Sequence, residues 1–342
     1  MKLSIRSILF FCLYIIGLGY ILQQWNMQRR RIPVLLFHRV TDLYDPYTQP
    51  LSLKQFHYII KFFNKRYQLK SFKYLSDYDK VSVNKSCFIV FDDALKDFIM
   101  NAWPILEMER IPVTLFVPTD AVHSQKIYWS LELLSFFIFS DKDFIKLSIE
   151  GKDRFFNLKG RKKIKAVQEI HDLLLRSKTA KRDILLEKIK NKLNVRSSNS
   201  YFQMMSLDDL NILSNKGLDI QSHTKSHEYL PILNKQSMED EIFQSKIKLK
   251  EIFGSSPIAI SYPYGGYNED VVRIAGKHYK YGFITDNELL DLRQLDNDNL
   301  GRLVLSRINV TDRSPYELYF RINGFHSFVK RLTKRNSHLK VF

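Results

Sequence analysis

Short, largely apolar runs alternate with stretches of helical period along most of this chain. Ile32–Phe37, Cys87–Phe91, Val113–Val117, Leu218–Gln221, Ile258–Tyr262, Tyr281–Thr285 and Leu303–Val310 read as seven strands, most of them without the polar alternation of a half-exposed sheet. Between them lie amphipathic segments. Phe56, Ile59, Ile60 and Phe63 recur at helical spacing in Leu53–Tyr67. Leu95–Met108 continues the pattern with a kink expected at Pro104, Met238–Phe253 is closed by Gly254, and Asn268–Tyr279 is a further helix. Repeated strand, loop and helix predict an α/β architecture with a parallel barrel.

Three segments break the alternation. Between Arg6 and Arg29 there is no charge, and Ile8–Leu22 is almost wholly apolar, close to the roughly 20 residues that span a bilayer. A cleaved signal would need a small-residue site; the first alanine is Ala94, and Gly17-x-Gly19 is a weak substitute. The expectation is therefore an uncleaved, single-pass N-terminal membrane anchor over residues 1–31, followed by a barrel over 32–317. A second segment, about 124–200, reads as a helical, basic insertion between two barrel strands, with helical stretches at Ile164–Leu175 and Ile184–Leu193. It is either a solvated cap or a lid whose Trp129, Phe136, Phe137 and Phe139 meet a membrane. The third, 318–342, has no acidic residue and carries Lys330, Arg331, Lys334, Arg335 and Lys340 beside Phe325, Phe328 and Leu332. It reads as a basic tail on an anionic membrane surface, or as a solvated end.

Composition narrows the partners. With 342 residues and 45% hydrophobic content the chain can bury one large core, and 53 Lys and Arg against 36 Asp and Glu give a formal charge of +17. That balance favours an anionic partner or a phospholipid surface. No nucleic-acid partner is expected, since no such motif occurs and the aromatic residues fall in core-like runs. Cys12 and Cys87 lie in an apolar segment and a strand, so no structural disulfide is expected and the compartment stays open.

The candidate chemistry sits at strand ends. Asp92 and Asp93 follow a buried run, where adjacent carboxylates raise one another's pKa unless a cation or strong hydrogen bonds compensate. His223 and His227 follow another run, and Asp with His suits Zn²⁺ or a similar first-row divalent metal. A strand-end Asp-Asp also serves Mg²⁺ or structure, and a lone His-x-x-x-His is often surface. His38 closes the first run. These groups all fall on the face where barrel enzymes gather catalytic residues.

VFDDALKDF, SHTKSH and SYPYGGYN, in that order, together with PVLLFHRV and LSRINV, resemble the polysaccharide deacetylases, the carbohydrate esterase family of chitooligosaccharide, peptidoglycan and poly-N-acetylglucosamine N-deacetylases. The resemblance covers most of Ile32–Asp312 and implies a distorted seven-stranded (β/α) barrel, in agreement with the strand count. It also implies Asp93, His223 and His227 as metal ligands, Asp92 as catalytic base, and the backbone N–H of Tyr264 as oxyanion donor. Two departures stand out. Where many members carry a Leu-x-His acid, this chain reads LSRINV, with Arg307; a similar early His motif in poly-N-acetylglucosamine deacetylases points to His38 as the acid instead. A histidine that merely holds a loop is the alternative. Ala94 replaces a usual Gly, and Ser261 or Tyr262 stands near the family's motif arginine, whose task of steadying Asp92 falls to Arg307. The implied activity is metal-dependent removal of an N-acetyl or N-formyl group from an amino sugar of a surface polysaccharide or a lipid-linked precursor. The alternatives are an inactive carbohydrate-binding barrel or a membrane scaffold of a polysaccharide assembly system. Family habit places the barrel outside the cytoplasm, whereas Arg29, Arg30 and Arg31 outweigh Lys2 and Arg6 and argue for the cytoplasmic face.

Overall fold

A computed structural model of the chain describes residues 5–75, 86–149, 151–195, 201–296, 300–311 and 314–325. Seven parallel strands form the main path of a curled sheet, β1 (Val34–Phe37), β2 (Ser86–Phe91), β3 (Thr114–Val117), β4 (Asp219–Ser222), β5 (Ala259–Ser261), β6 (Tyr281–Phe283) and β7 (Ile308–Asn309), and a short eighth strand, Gln68–Lys70, pairs in parallel with the start of β2. Their spatial order is β6, β5, β4, β3, β2, β1, β7. The two edges meet: Leu305, just ahead of β7, bridges in parallel to Phe283 of β6 and donates its N–H to the Gly282 carbonyl at 2.8 Å. Because this segment pairs first with β6 and then with β1, it keeps regular strand geometry for only two residues of the longer run expected from sequence.

Both faces of the sheet are buried, which is why most of the strands read as apolar runs; β4 is an exception, its Asp219 and Gln221 buried and hydrogen-bonded to Thr114 Oγ1 and to the Ile258 and Ala259 N–H groups. Val34, Leu36, Phe88, Val90 and Phe116 cluster with Phe72, which stacks on Phe283 with ring centroids 4.1 Å apart. Leu35, Phe37, Ile89 and Phe91 face the other way, against Phe56 and Ile59 of the helix Leu53–Asn64. That helix starts on a capping box between Ser52 and Gln55, and the helix Lys235–Phe253 stops at Gly254 with φ 70°. Near Pro104 the expected kink takes the form of a five-residue π-helical turn, Phe98–Ala102, feeding the helix Trp103–Met108. Proline has no N–H for the preceding turn, so the ladder rearranges ahead of it.

The insertion is more than helical. Helices Trp129–Phe139, Arg161–Leu175 and Thr179–Leu193 are joined by an antiparallel hairpin, Phe144–Ile149 with Lys152–Asn157. Together they enclose a separate apolar core. Trp129, Phe136 and Phe137 belong to that core at 7%, 1% and 0% exposure, which overturns their expected role as membrane-facing contacts; Phe139 alone of the four is exposed.

The N-terminal apolar stretch is broken. Helices Ile5–Ile15 and Leu18–Gln28 meet at a 70° bend, with Gly17 at φ 80°. Among the described residues no single helix is long and apolar enough to cross a membrane; the bent pair reaches that length and apolar composition only when its two helices are taken together. The pair packs on the helix Pro315–Ile322, through Phe10 on Phe320 and Tyr14 against Tyr316 and Tyr319. Phe328, Leu332 and the tail lysines and arginines lie outside the described residues.

Candidate active site

The strand ends bring five of the sequence-predicted side chains into one buried cluster. Asp92 and Asp93 follow β2, His223 follows β4, His227 lies four residues on, and Arg307 enters just before β7. Asp92, Asp93, His223, His227 and Arg307 are between 0% and 7% exposed, while His38, at the end of β1, is half-buried. The loops carrying them are bent against preference: Asp93, Ala94, Thr224, His227 and Tyr264 all take positive φ, between 52° and 79°. Left-handed non-glycine backbone of this kind costs of order 1–3 kcal/mol per residue and persists only where surrounding structure imposes it. At Ala94 the φ of 52° explains why glycine would be at home there.

Asp92 is clamped. Arg307 donates from both terminal nitrogens to its two oxygens, at 2.8 and 2.9 Å, and Ser261 Oγ donates to Oδ2 at 3.0 Å. Arg307 also reaches Ser261 Oγ at 2.7 Å and the Ile284 carbonyl at 3.2 Å, so its fork is fully used. Burial alone would raise the Asp92 pKa; the Arg307 guanidinium, with His223 and His38 adding positive field, holds it below the usual carboxylate range. Thus the arginine expected at Asp92 on family grounds reaches it from the far edge of the sheet.

Asp93 faces the two histidines. Its Oδ1 lies 3.5 Å from His223 Nε2 and 3.2 Å from His227 Nε2, and one donor atom from each residue falls within 4.8 Å of the others. His223 Nδ1 sits 2.8 Å from the Ser261 carbonyl, an acceptor only, so Nδ1 carries the proton and the Nε2 lone pair points at Asp92 and Asp93. Lone pair against carboxylates is repulsive unless a cation or a proton lies between. Burial would lower the His223 pKa, but Asp92 and Asp93 overcome it and raise it; for His227 burial and the neighbouring His223 win and lower it. The pocket therefore calls for positive charge while favouring a neutral His227, and its Asp-His-His donor set fits a first-row divalent ion.

Tyr264 occupies the turn after β5, with φ 59°, and none of the turn's backbone bonds takes up its N–H. Its hydroxyl donates to Ser130 Oγ at 3.0 Å, and its ring packs edge-on to His227. His38 has no hydrogen-bond partner among the described residues, yet its field reaches both Asp92 and Asp93.

Several residues that hold this cluster carry no sequence signal. Tyr128, from the insertion, stacks on His227 with centroids 3.9 Å apart. Glu241 accepts the Lys225 and Ser226 N–H groups at 3.1 and 2.9 Å and so fixes the turn between the two histidines. Arg182 of the insertion is 4% exposed and makes a two-pronged ion pair with Glu228, next to His227, while lying over the Trp129 ring. These contacts dock the insertion directly against the histidine loop. Their partners are 46 to 99 positions apart where the insertion meets that loop, which is why periodicity and motif could not find them.

Comparison with known proteins agrees with this geometry. Residues 185–282, the stretch with His223, His227 and Tyr264, match the family model described as polysaccharide deacetylase. A Bacillus subtilis (strain 168) protein, YxkH, named for that family, is 35% identical over 75 residues, which are 22% of this chain and 27% of that protein. The match thus spans about a quarter of the curated relative. Among solved structures, the Streptococcus pyogenes deacetylase PplD, solved with acetate, superposes with a TM-score of 0.55 at 19% identity, over 85% of this chain and 98% of that one. A polysaccharide deacetylase from Bacillus cereus gives 0.55 at 20%, over 85% and 68%, and IcaB from Ammonifex degensii gives 0.54 at 15%, over 84% and 95%. At these identities the structures share the fold. Residues 185–282 thus resemble the polysaccharide deacetylase family in sequence, and the chain shares the fold of solved deacetylases.

Proposed function

We propose that the chain is a metal-dependent hydrolase that removes an N-acetyl or N-formyl group from an amino sugar of a cell-envelope glycan. The observation that carries this reading is the adjacency of two carboxylates in different settings: Asp92 locked to Arg307, and Asp93 facing His223 and His227. Asp93, His223 and His227 would hold the ion, with Zn²⁺ first and other first-row metals as alternatives. Such an ion polarises an amide carbonyl and makes water a better nucleophile near neutrality.

The chain's own groups supply the rest. Asp92, kept ionised by Arg307, takes a proton from the attacking water as the new C–O bond forms. The Tyr264 N–H donates to the oxygen on which negative charge develops. His38, half-buried at the end of β1, protonates the nitrogen as the C–N bond breaks, so the products are a carboxylate and a free amine. Incubation of the protein with N-acetylated and N-formylated amino-sugar oligomers tests this, read as acid release and a mass loss of one acyl group per sugar. Sugar binding without release would favour the carbohydrate-binding alternative.

The assignment of the site residues is open to two direct tests. Purified protein should hold close to one divalent ion per chain, and the His223→Ala, His227→Ala pair should release it; full metal content in that variant, measured by elemental analysis, removes the assignment. His38→Ala should leave metal content intact and lower kcat by roughly 10²–10⁴-fold. A wild-type rate in His38→Ala means that the proton comes from another group. Membrane attachment through the N-terminal segment, with the barrel outside the cytoplasm, belongs to the same proposal. An enzymatic reporter active only outside the cytoplasm, fused after Phe342, checks the compartment.

A further inference from the structure

The N-terminal helix pair presents one apolar face to solvent and another to the barrel. Ile8, Leu9, Phe11, Ile15, Ile16, Tyr20, Ile21 and Trp25 are each 41% to 72% exposed, a density of large apolar side chains found nowhere else on the described surface. Soluble proteins rarely leave such a patch uncovered without a use for it. The opposite face is fixed. Gln23 and Asn26 are 5% and 3% exposed; Tyr319 donates to Gln23 Oε1 at 2.8 Å, and Asn26 donates to the Asn323 carbonyl at 3.0 Å. Gly19 lies so close to Tyr319 that a Cβ there would meet its ring at 2.4 Å.

Straightening the pair into one span would break these contacts. As folded, each helix has 11 residues, about 16 Å at 1.5 Å per residue, against a hydrocarbon core of about 30 Å. The charge around the patch suits an anionic surface. Arg29 lies 3.8 Å over Trp25, and Phe325, the last described residue, packs on Phe10. In sequence, residues 326–342 follow Phe325 and carry Lys330, Arg331, Lys334, Arg335 and Lys340 and no acidic residue.

We propose that the Ile5–Gln28 pair lies in the plane of an anionic lipid surface, with its apolar face among the headgroups and acyl-chain ends, and does not cross the bilayer. Apolar residues with a basic rim bind this way. The orientation has a consequence for substrate. Helix Leu18–Gln28 runs into the N-terminal end of β1, beside a crevice lined by Gln23, Asn26, Ile32, Pro33 and Ser86, whereas the candidate active site opens at the other end of the strands. The catalytic face then points away from the lipid, toward glycan chains standing off the membrane and not toward sugars held at headgroup level. This step adds to the deacetylase reading and is tested without it.

Full-length protein should float with equimolar phosphatidylcholine and phosphatidylglycerol vesicles, less so at high salt, and brominated lipid should quench Trp25, since Trp103 and Trp129 are buried. Ile15→Glu with Ile21→Glu should weaken vesicle binding about 10-fold or more while leaving the melting temperature unchanged. In cells, epitope tags at Met1 and after Phe342 should be open to protease from the same side. Tags on opposite sides would show a crossing segment and overturn the proposal. Vesicle binding indifferent to the double substitution would equally overturn it, by removing the patch from the interface. Flotation and tag accessibility do not depend on turnover, so an inactive protein leaves this test intact.

Discussion

Asp92→Asn should lower turnover by roughly 10²–10⁴-fold while metal content and sugar binding persist. The change is nearly isosteric, so Ser261 and one prong of Arg307 still find an oxygen, but the group can no longer accept a proton. Arg307, with no exposed surface, would lose its counter-charge, and some stability with it. The rate is therefore read at a temperature where a melting curve shows the variant folded. Unchanged turnover under those conditions would take Asp92 out of the mechanism and leave the cluster as a binding site.

Arg307→Met should cost about 3–5 kcal/mol of stability, because it strands the Asp92 carboxylate in a buried setting. The pH dependence gives the sign. In the native protein Asp92 titrates below the usual carboxylate range, so its contribution is complete above that range and drains away as pH falls through the lowered value. Without the guanidinium, burial dominates and the carboxyl titrates higher; the acidic limb of any rate profile should move to higher pH, and stability should fall as Asp92 ionises. Arg307→Lys keeps the charge without the fork and should fall between the two. Denaturant titration across pH checks this, and an Arg307→Met variant as stable as wild type, with an unmoved acidic limb, would show that the clamp has no energetic role.

The barrel strands were legible because both of their faces are buried, and chemistry placed at strand ends was legible because Asp92, Asp93, His223 and His38 interrupt those apolar runs at their ends. Motif resemblance added Arg307 as a guess, since nothing local ties a residue before β7 to one after β2, 215 positions earlier. The bond of Ser261 to Asp92, Glu241 and the Arg182–Glu228 pair carried no local signal for the same reason: their meaning lies in partners supplied by the fold. The hairpin Phe144–Ile149 with Lys152–Asn157 was in plain sight, for Ile145 and Leu147 alternate with exposed neighbours around Gly151, but the many lysines made the region read as helical surface. Gly17 in a left-handed conformation divides what composition alone presents as one segment.

The Asp92 clamp is delivered by the last piece of the barrel to be synthesised. Arg307 arrives on the segment that joins β6 to β1, so the carboxylate formed near residue 92 stays without its partner until nearly the whole chain has emerged and the edges have met. A nascent or C-terminally truncated chain has its histidines and Asp93 in hand long before it has a settled Asp92. Completion of the polypeptide acts as a timer on competence, and a stop codon ahead of residue 305 should yield a protein that is both poorly folded and inert.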